Sequence, residues 1–312
     1  MSDAPATLTL RDLILEGRDA LDAAGVWFGH GTDNALDEAA WLVSHAVGLP
    51  PDFPDAELDR VLTPGQIQAA RELVARRIAT RQPAAYLIGE AWFAGLPFFV
   101  DERVLVPRSP LAELIAERFQ PWLVPERIRR VLDLCTGSGC IAIATALALP
   151  EAQVDASDIS PGALEVARRN VVRHGVQDRV GLYAADLFDG LPAGEYDLIL
   201  SNPPYVDAED MAALPPEYWQ EPALGLAAGE KGLDLVIPLL QQAGRHLAPD
   251  GVLIVEVGNS AEALQAAFPR VPFVWLEFAH GGEGVFLLDA AQLSAHQAAF
   301  DAAADRLSQG QP

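Results

Sequence analysis

Lysine is almost missing: among 312 residues only position 231 carries it. That excludes a phosphate-gripping lysine in a glycine-rich loop, or a Schiff-base lysine, everywhere except Lys231. Basic charge is scarce in general, with 21 Lys and Arg against 44 Asp and Glu, and the net −23 is spread along the chain. Such a field repels phosphate backbones and attracts cationic surfaces, so DNA is not expected as a partner and a basic protein is. Arg71, Arg76, Arg77 and Arg81 form one local basic group, and their spacing suits a solvated helix face. Cysteine is equally scarce. Cys135 and Cys140, without a second pair or a nearby histidine, build neither a disulfide framework nor a zinc site, and no HExxH occurs, so no metal is expected. Long apolar runs are lacking too: the stretch 141–149 stops at Pro150, and the first six residues lack a basic-then-apolar order. A cytoplasmic protein that does not enter a membrane is expected.

What is present is globular material, half of it hydrophobic and punctuated by 24 prolines and 25 glycines, enough for two domains. Apolar residues at helical spacing mark three helices before residue 80, with Asn34 and Thr63 placed as caps. Residues 1–84 therefore form a small helical domain. Between its first two helices lies Phe28-Gly29-His30-Gly31-Thr32, in which His30 is an ordinary loop residue. The aromatic and β-branched pattern of 85–108 predicts a linking β-hairpin, and Ser109-Pro110 then caps and starts a helix. From 109 to 290 strands and helices alternate: strands at 131–135, 153–157, 180–184, 196–200, 252–257, 273–278 and 284–288, with helices at 140–149, 162–174, 233–247 and 261–268 between most of them. This order predicts a seven-stranded, doubly wound α/β sheet of Rossmann-like type, with ligands at the carboxyl ends of its strands. Five residues separate the last two strands, too few for a parallel crossover, so the last strand is antiparallel. The Ala-rich tail 291–312 is expected to form a further helix.

Chemistry concentrates at four strand ends. The first strand runs into Asp133-Leu134-Cys135-Thr136-Gly137-Ser138-Gly139-Cys140, where Gly137 and Gly139 permit a sharp turn and a close backbone approach to a ligand. Residues 137–142 fit the dinucleotide pattern G-x-G-x-x-A, a weak signal by itself. Asp158, ending the second strand, stands where an acidic residue takes ribose hydroxyls, and it also suits a cap of the next helix together with Ser160. Asp186 and Leu187 end the third strand, one able to accept from an adenine amine and the other to pack on the ring. Ser138 is no hydrolase nucleophile, because Thr136 and Cys140 occupy the positions where that elbow needs glycine.

The fourth strand delivers Asn202-Pro203-Pro204-Tyr205. Asn202 offers a side-chain carbonyl, Pro203 a main-chain carbonyl at fixed φ, and Tyr205 a flat aromatic face. A planar group bearing an NH2 could place its two N–H bonds on the two oxygens, while the plain alternative is a Pro-Pro turn closing a strand. A polar strand end beside the loop 133–140 favours S-adenosylmethionine over a dinucleotide.

These motifs resemble the class I S-adenosylmethionine-dependent methyltransferases, and within them the HemK/PrmC-like enzymes that methylate glutamine side-chain amides. The likeness extends over Tyr86-Leu87-Ile88-Gly89, Pro107-Arg108, 133–140, Asp158-Ile159-Ser160, 202–205, Glu221-Pro222 and Gly232-Leu233-Asp234. Ser109-Pro110-Leu111 after Arg108, and the 28–32 loop, look like the PrmB branch, not the release-factor branch. The resemblance implies S-adenosyl-L-methionine held by Asp133, Cys135, Thr136, Gly137, Ser138, Gly139, Asp158, Asp186, Leu187 and Asn202. It implies catalysis by Asn202, Pro203 and Tyr205, and a glutamine amide of basic large-subunit ribosomal protein three bound by 202–205, with the helical domain recognising that substrate. A release-factor glutamine or a nucleobase amine is the alternative acceptor. Cys135 departs from the wider pattern, in which glycine is frequent at that place.

Overall fold

Helix starts in the first part of the chain follow from caps that the sequence carries. In the computed structural model, which describes residues 8–309, the Thr9 hydroxyl accepts from the Asp12 N–H while the Asp12 carboxylate accepts from the Thr9 N–H. This reciprocal box opens α1 (Leu10–Ala23). Asn34 caps α2 (Ala35–Val47), Thr63 and Gln66 repeat the box at α3 (Pro64–Thr80), and α4 (Ala84–Ile88) ends at the left-handed Gly89. Leu10, Leu13, Ile14 and Leu21 of α1 bury against Ala39, Leu42 and Val43 of α2 and Ala70 and Val74 of α3. At roughly 1.5–3 kcal/mol for each large apolar side chain, this burial holds the bundle together.

One expectation fails inside the bundle. Arg77 is not on a solvated face: it is fully buried, its Nε–H donating to Glu38 at 2.7 Å and its Nη2–H to the Trp27 carbonyl at 2.9 Å. Glu217, also buried, lies 3.5 Å from Arg77 Nη1 and accepts from the Trp27 N–H at 3.1 Å and from Arg81 at 3.3 Å. His30 stays in its loop, but it does not lie at the surface. It is buried, with its ring centroid 4.5 Å from that of Tyr218. Helical periodicity could not reveal these pairings because Glu38 and Trp27 lie outside the helix of Arg77, and Glu217 and Tyr218 come from a segment more than 130 residues away. All belong to the first of two compact units, Met1–Ala91 with Val100–Glu102 and Pro215–Gln220; the second comprises Trp92–Phe99, Arg103–Leu214 and Glu221–Pro312.

The hairpin expected over 85–108 is confined to β1 (Glu90–Phe93) and β2 (Leu96–Phe99), joined by Ala94 and Gly95 at positive φ. Pro83 and Gly89 bracket 84–88 into a helical turn, and no strand follows β2 before residue 109. Next come α5 (Leu111–Ala116), β3 (Arg130–Leu134), α6 (Cys140–Ala148), β4 (Gln153–Asp158), α7 (Pro161–Arg173), β5 (Val180–Ala184), β6 (Tyr196–Ser201) and α8 (Ala208–Ala213). The chain closes with α9 (Val236–Ala243), β7 (Leu247–Glu256), α10 (Ala261–Ala267), β8 (Val274–Trp275), β9 (Val285–Asp289) and α11 (Ala290–Ser308). The strands form one sheet in the order β5-β4-β3-β6-β7-β9-β8, parallel from β5 to β7, with β9 antiparallel to both β7 and β8.

Alternation along the strands fills both faces. Val131, Leu198 and Leu200 join Ile141 and Ile143 of α6 in one core, while Leu132, Leu134, Ile199, Leu253 and Val255 face the other. The tail is part of this second core, because Leu293, Phe300 and Ala303 of α11 pack into it. Strand 273–278 shrinks to two residues, and helix 233–247 ends at Ala243 because Leu247 already belongs to β7. The strand order reverses between β3 and β6, and the loops after those two strands open the crevice that a doubly wound sheet offers a ligand.

Candidate active site

The loop after β3 is wound tightly. Cys135, Gly137 and Gly139 have φ of +59°, +54° and +80°, three left-handed residues within five. Cys135 adopts this conformation with a side chain, at a cost of about 1 kcal/mol or more, which explains why its departure from glycine is conspicuous. Asp133, fully buried in β3, braces the loop: one carboxylate oxygen accepts from the Thr136 hydroxyl at 2.5 Å and the Ala142 N–H at 3.1 Å, and the other has no partner. Burial pushes its carboxyl up to about 7. The Ser138 carbonyl accepts from Asn170 at 2.9 Å, and a Cβ on Gly139 would stand 3.2 Å from that of Ala167. Asp133, Thr136, Ser138 and Gly139 thus shape the loop and are not among the residues lining the cavity beside it.

That cavity, about 180 Å³, lies at the carboxyl ends of the central strands and is lined by Cys135, Gly137, Asp158, Asp186, Leu187 and Asn202, with Arg103, Leu105, Ile159, Pro204 and Leu224 around them. Asp158 serves both purposes read from the sequence. Its oxygens accept from the Gly137 N–H at 2.9 Å and the Ser160 N–H at 2.8 Å, Ser160 caps α7 through the Ala163 N–H, and the carboxylate still borders the cavity. Burial raises its pKa. No protein atom lies within 4 Å of where a Cβ on Gly137 would stand, so the backbone there is open to close approach. Beyond β5, Asp186 and Asp189 exchange main-chain hydrogen bonds, turning Leu187 to φ +50° and leaving the Asp186 side chain exposed at the cavity.

On the opposite side, Ser201 ends β6 and donates its hydroxyl to the Leu134 carbonyl at 3.0 Å, tying β6 to β3. Asn202 follows and lines the cavity, and its side-chain amide makes no hydrogen bond among the described residues. Pro203 and Pro204 are buried, Pro204 lining the cavity and Pro203 not. Tyr205 is also outside the lining. Its hydroxyl donates to Glu256 at 3.1 Å, its carbonyl accepts from Ser260 at 2.7 Å, and its ring lies on Gly258, where a Cβ would stand 2.5 Å from a ring carbon.

Residues 112–214 match the methyltransferase small domain family, and residues 12–89 match the PrmC N-terminal domain family. Curated proteins called ribosomal protein uL3 glutamine methyltransferase align along nearly the whole chain. The one from Bordetella pertussis is 51% identical over 92% of this chain and 96% of its own, and the one from Xanthomonas campestris pv. campestris is 50% identical over 93% and 94%. That from Neisseria gonorrhoeae is 47% identical over 91% and 95%. The chain belongs to this uL3 glutamine methyltransferase family.

In this family member the sequence reading missed three polar residues around the site. Glu256 is buried at the end of β7, and burial pushes its carboxyl up to about 7 against the hydrogen bonds of Ser109 and Tyr205. Ser109 was expected to cap α5. It does accept from the Leu111 N–H at 3.2 Å, yet its proton goes to Glu256 at 2.6 Å, and Pro110 holds the N-cap position of the helix without a side-chain cap. Glu221 grips Arg108 through both oxygens at 2.8 and 2.6 Å and also accepts from the Val106 N–H at 2.9 Å. One signal was available: Glu256 ends an apolar strand, as Asp158 does. Burial also pushes both thiols, Cys135 and Cys140, up to about 12, so neither is ionised as a nucleophile at neutral pH. Among the described residues no helix is long and apolar enough to cross a membrane, and no cluster of side chains could hold a metal ion.

Proposed function

We propose that the protein methylates a glutamine side-chain amide of ribosomal protein uL3 in the cytoplasm, with S-adenosylmethionine as the donor. One observation carries the reading: Asn202, with its side-chain amide uncommitted, lines the same cavity as the Asp158 carboxylate and the open backbone of Gly137. The residues suit the donor. Asp158 would take its ribose hydroxyls, Asp186 its adenine amine, Leu187 the face of the base, and Gly137 a close backbone contact. When bound, this cofactor supplies a methyl group on a positively charged sulfur.

On the acceptor side the chain's task is orientation. An amide nitrogen is a poor nucleophile because its lone pair is delocalised into the carbonyl. The Asn202 side-chain oxygen and the Pro203 carbonyl accept its two N–H bonds, fixing where the nitrogen sits and favouring a more localised lone pair. Tyr205 offers its ring to the plane of the amide, and its hydroxyl is already held by Glu256. No described residue is needed as a base, since a methylated amide of this kind sheds its extra proton readily. The charge of −23 suits a basic ribosomal protein and opposes a phosphate backbone.

The test is incubation of the purified protein with methyl-labelled donor and, separately, uL3, a release factor and ribosomal RNA. Label is expected on a uL3 glutamine, and Asn202→Ala should abolish transfer while donor binding persists. Label on the release factor or the RNA instead, or full turnover by Asn202→Ala, would overturn the proposal.

A further inference from the structure

We propose that Glu256 is a positioning residue for the transfer: it fixes Tyr205, and through Tyr205 the placement of Asn202, with Ser109 locking the carboxylate in turn. The inference rests on the preceding reading of 202–205 as the acceptor clamp.

Asn202 makes no side-chain hydrogen bond of its own among the described residues, so its position is set by the backbone on either side of it: Ser201, held in β6, before it, and residues 203–205 after it. Pro203 and Pro204 each have a ring-locked φ, leaving little freedom between Asn202 and Tyr205. Holding Tyr205 therefore holds Asn202. The surroundings of Tyr205 are built to that end. Its hydroxyl meets Glu256 at 3.1 Å, its carbonyl meets the Ser260 hydroxyl at 2.7 Å, and its ring lies on a Gly258 held at φ +46°. A Cβ on Gly232 would come within 2.2 Å of the Tyr205 carbonyl oxygen. The next residue, Val206, bridges Leu226 and Ala228 through two main-chain bonds of 2.9 Å.

Stability does not account for Glu256. A carboxylate 4% exposed that accepts hydrogen bonds from two hydroxyls, Ser109 at 2.6 Å and Tyr205 at 3.1 Å, bears a desolvation penalty that neutral donors offset poorly. The neighbouring cation, Arg108, is engaged through both arms with Glu221, and its charge favours the Glu256 carboxylate by less than burial disfavours it. Burial pushes the Glu256 carboxyl up to about 7, which reflects the same cost. An apolar side chain there would be tolerated or stabilising. A feature that costs stability while gripping a residue of the acceptor clamp is the mark of a positioning role.

The experiment compares wild type, Glu256→Gln, Glu256→Leu, Tyr205→Phe and the double variant Glu256→Leu with Tyr205→Phe. Turnover is read on whichever acceptor the wild type labels, alongside donor affinity and thermal unfolding. Expected for Glu256→Leu are an unfolding temperature equal to or above wild type, unchanged donor affinity, and a loss of about tenfold or more in kcat with little change in acceptor KM. Glu256→Gln keeps an acceptor oxygen and should recover much of that loss. Tyr205→Phe should match Glu256→Leu, and the double variant should be no worse than either single one. Lower unfolding temperature in step with lower activity, or losses that multiply in the double variant, would overturn the inference. Label on an acceptor other than uL3 refutes the substrate reading alone, because the same variants still decide on Glu256 with that acceptor. A wild type inactive on every acceptor would sink both.

Discussion

Replacing Arg77 by leucine removes one guanidinium from a quartet of charges of which three are buried. In the native bundle Arg77 and Arg81 face Glu38 and Glu217, with contacts of 2.7 Å to Glu38 and 3.5 and 3.3 Å to Glu217. Arg77, Glu38 and Glu217 are each at most 1% exposed. Arg77→Leu deletes the charged hydrogen bond to Glu38 and the one to the Trp27 carbonyl, together worth about 3 kcal/mol or more, and leaves Glu38 as a buried anion. Thr32 still donates to Glu38 at 3.0 Å and Arg81 still faces Glu217, which limits the damage. The expected loss is about 3–5 kcal/mol, the range for a buried pair stripped of one partner. Glu38→Leu added to Arg77→Leu should restore at least about 1.5 kcal/mol, since the uncompensated charge then disappears. The pH response has a definite sign. Burial already raises the Glu38 pKa, so the folded variant takes up a proton before the unfolded chain does, and the deficit should shrink as pH falls from 8 towards 5. Urea unfolding followed by tryptophan emission, with hydrogen exchange of the α1–α3 amides to localise the loss, supplies the numbers. A single-variant loss under about 1 kcal/mol, or a coupling near zero in the double-mutant cycle, would refute the reasoning.

Cys135→Gly should stabilise the protein by up to about 1 kcal/mol, because a left-handed position loses its Cβ; a lower midpoint in urea would count against strain at this residue. Asp133→Asn tests the raised carboxyl. With a folded pKa of about 7 and an ordinary value near 3.8, the stability that Asp133 contributes is fully present below about pH 4 and is lost as pH rises to about 7, at up to about 1.4 kcal/mol per pH unit. Wild type should therefore lose stability relative to the variant between pH 4 and 7 and run parallel to it above 7, as measured by denaturant midpoints across that range; a pH-independent difference would show that burial does not shift the group.

Where a signal was local, the sequence showed it. Thr9 with Asp12, and Thr63 with Gln66, stand three residues apart, and the run of β6 carries its own apolar pattern. The cavity residues Gly137, Asp158, Asp186, Leu187 and Asn202 each end a strand or begin a loop, so the logic of the doubly wound sheet located them in advance. Asp133 could not be assigned that way, because a carboxylate facing a ligand and one bracing its own loop are spelled alike. Nor could Glu256, whose partners Tyr205 and Ser109 lie 51 and 147 residues away. Ser109 offered a local role as a cap, and that role concealed its distant one. Arg77 shows the same effect, since a helix face rich in arginine looks solvated until the carboxylate that enters it is known.

Pro215–Gln220 belongs to the helical unit although the chain on either side of it belongs to the unit with the sheet. The gene therefore cannot trade the helical unit as one uninterrupted cassette. Recombination that exchanged only the first 91 codons would pair an incoming bundle with a resident Glu217, and a mismatch there would strand a charge in an interior. Substitutions at Glu38, Arg77, Arg81 and Glu217 are thus expected to be inherited together, although Glu217 lies 136 residues beyond even Arg81. A chimera that carries both pieces should tolerate exchange where a graft of the first piece alone does not.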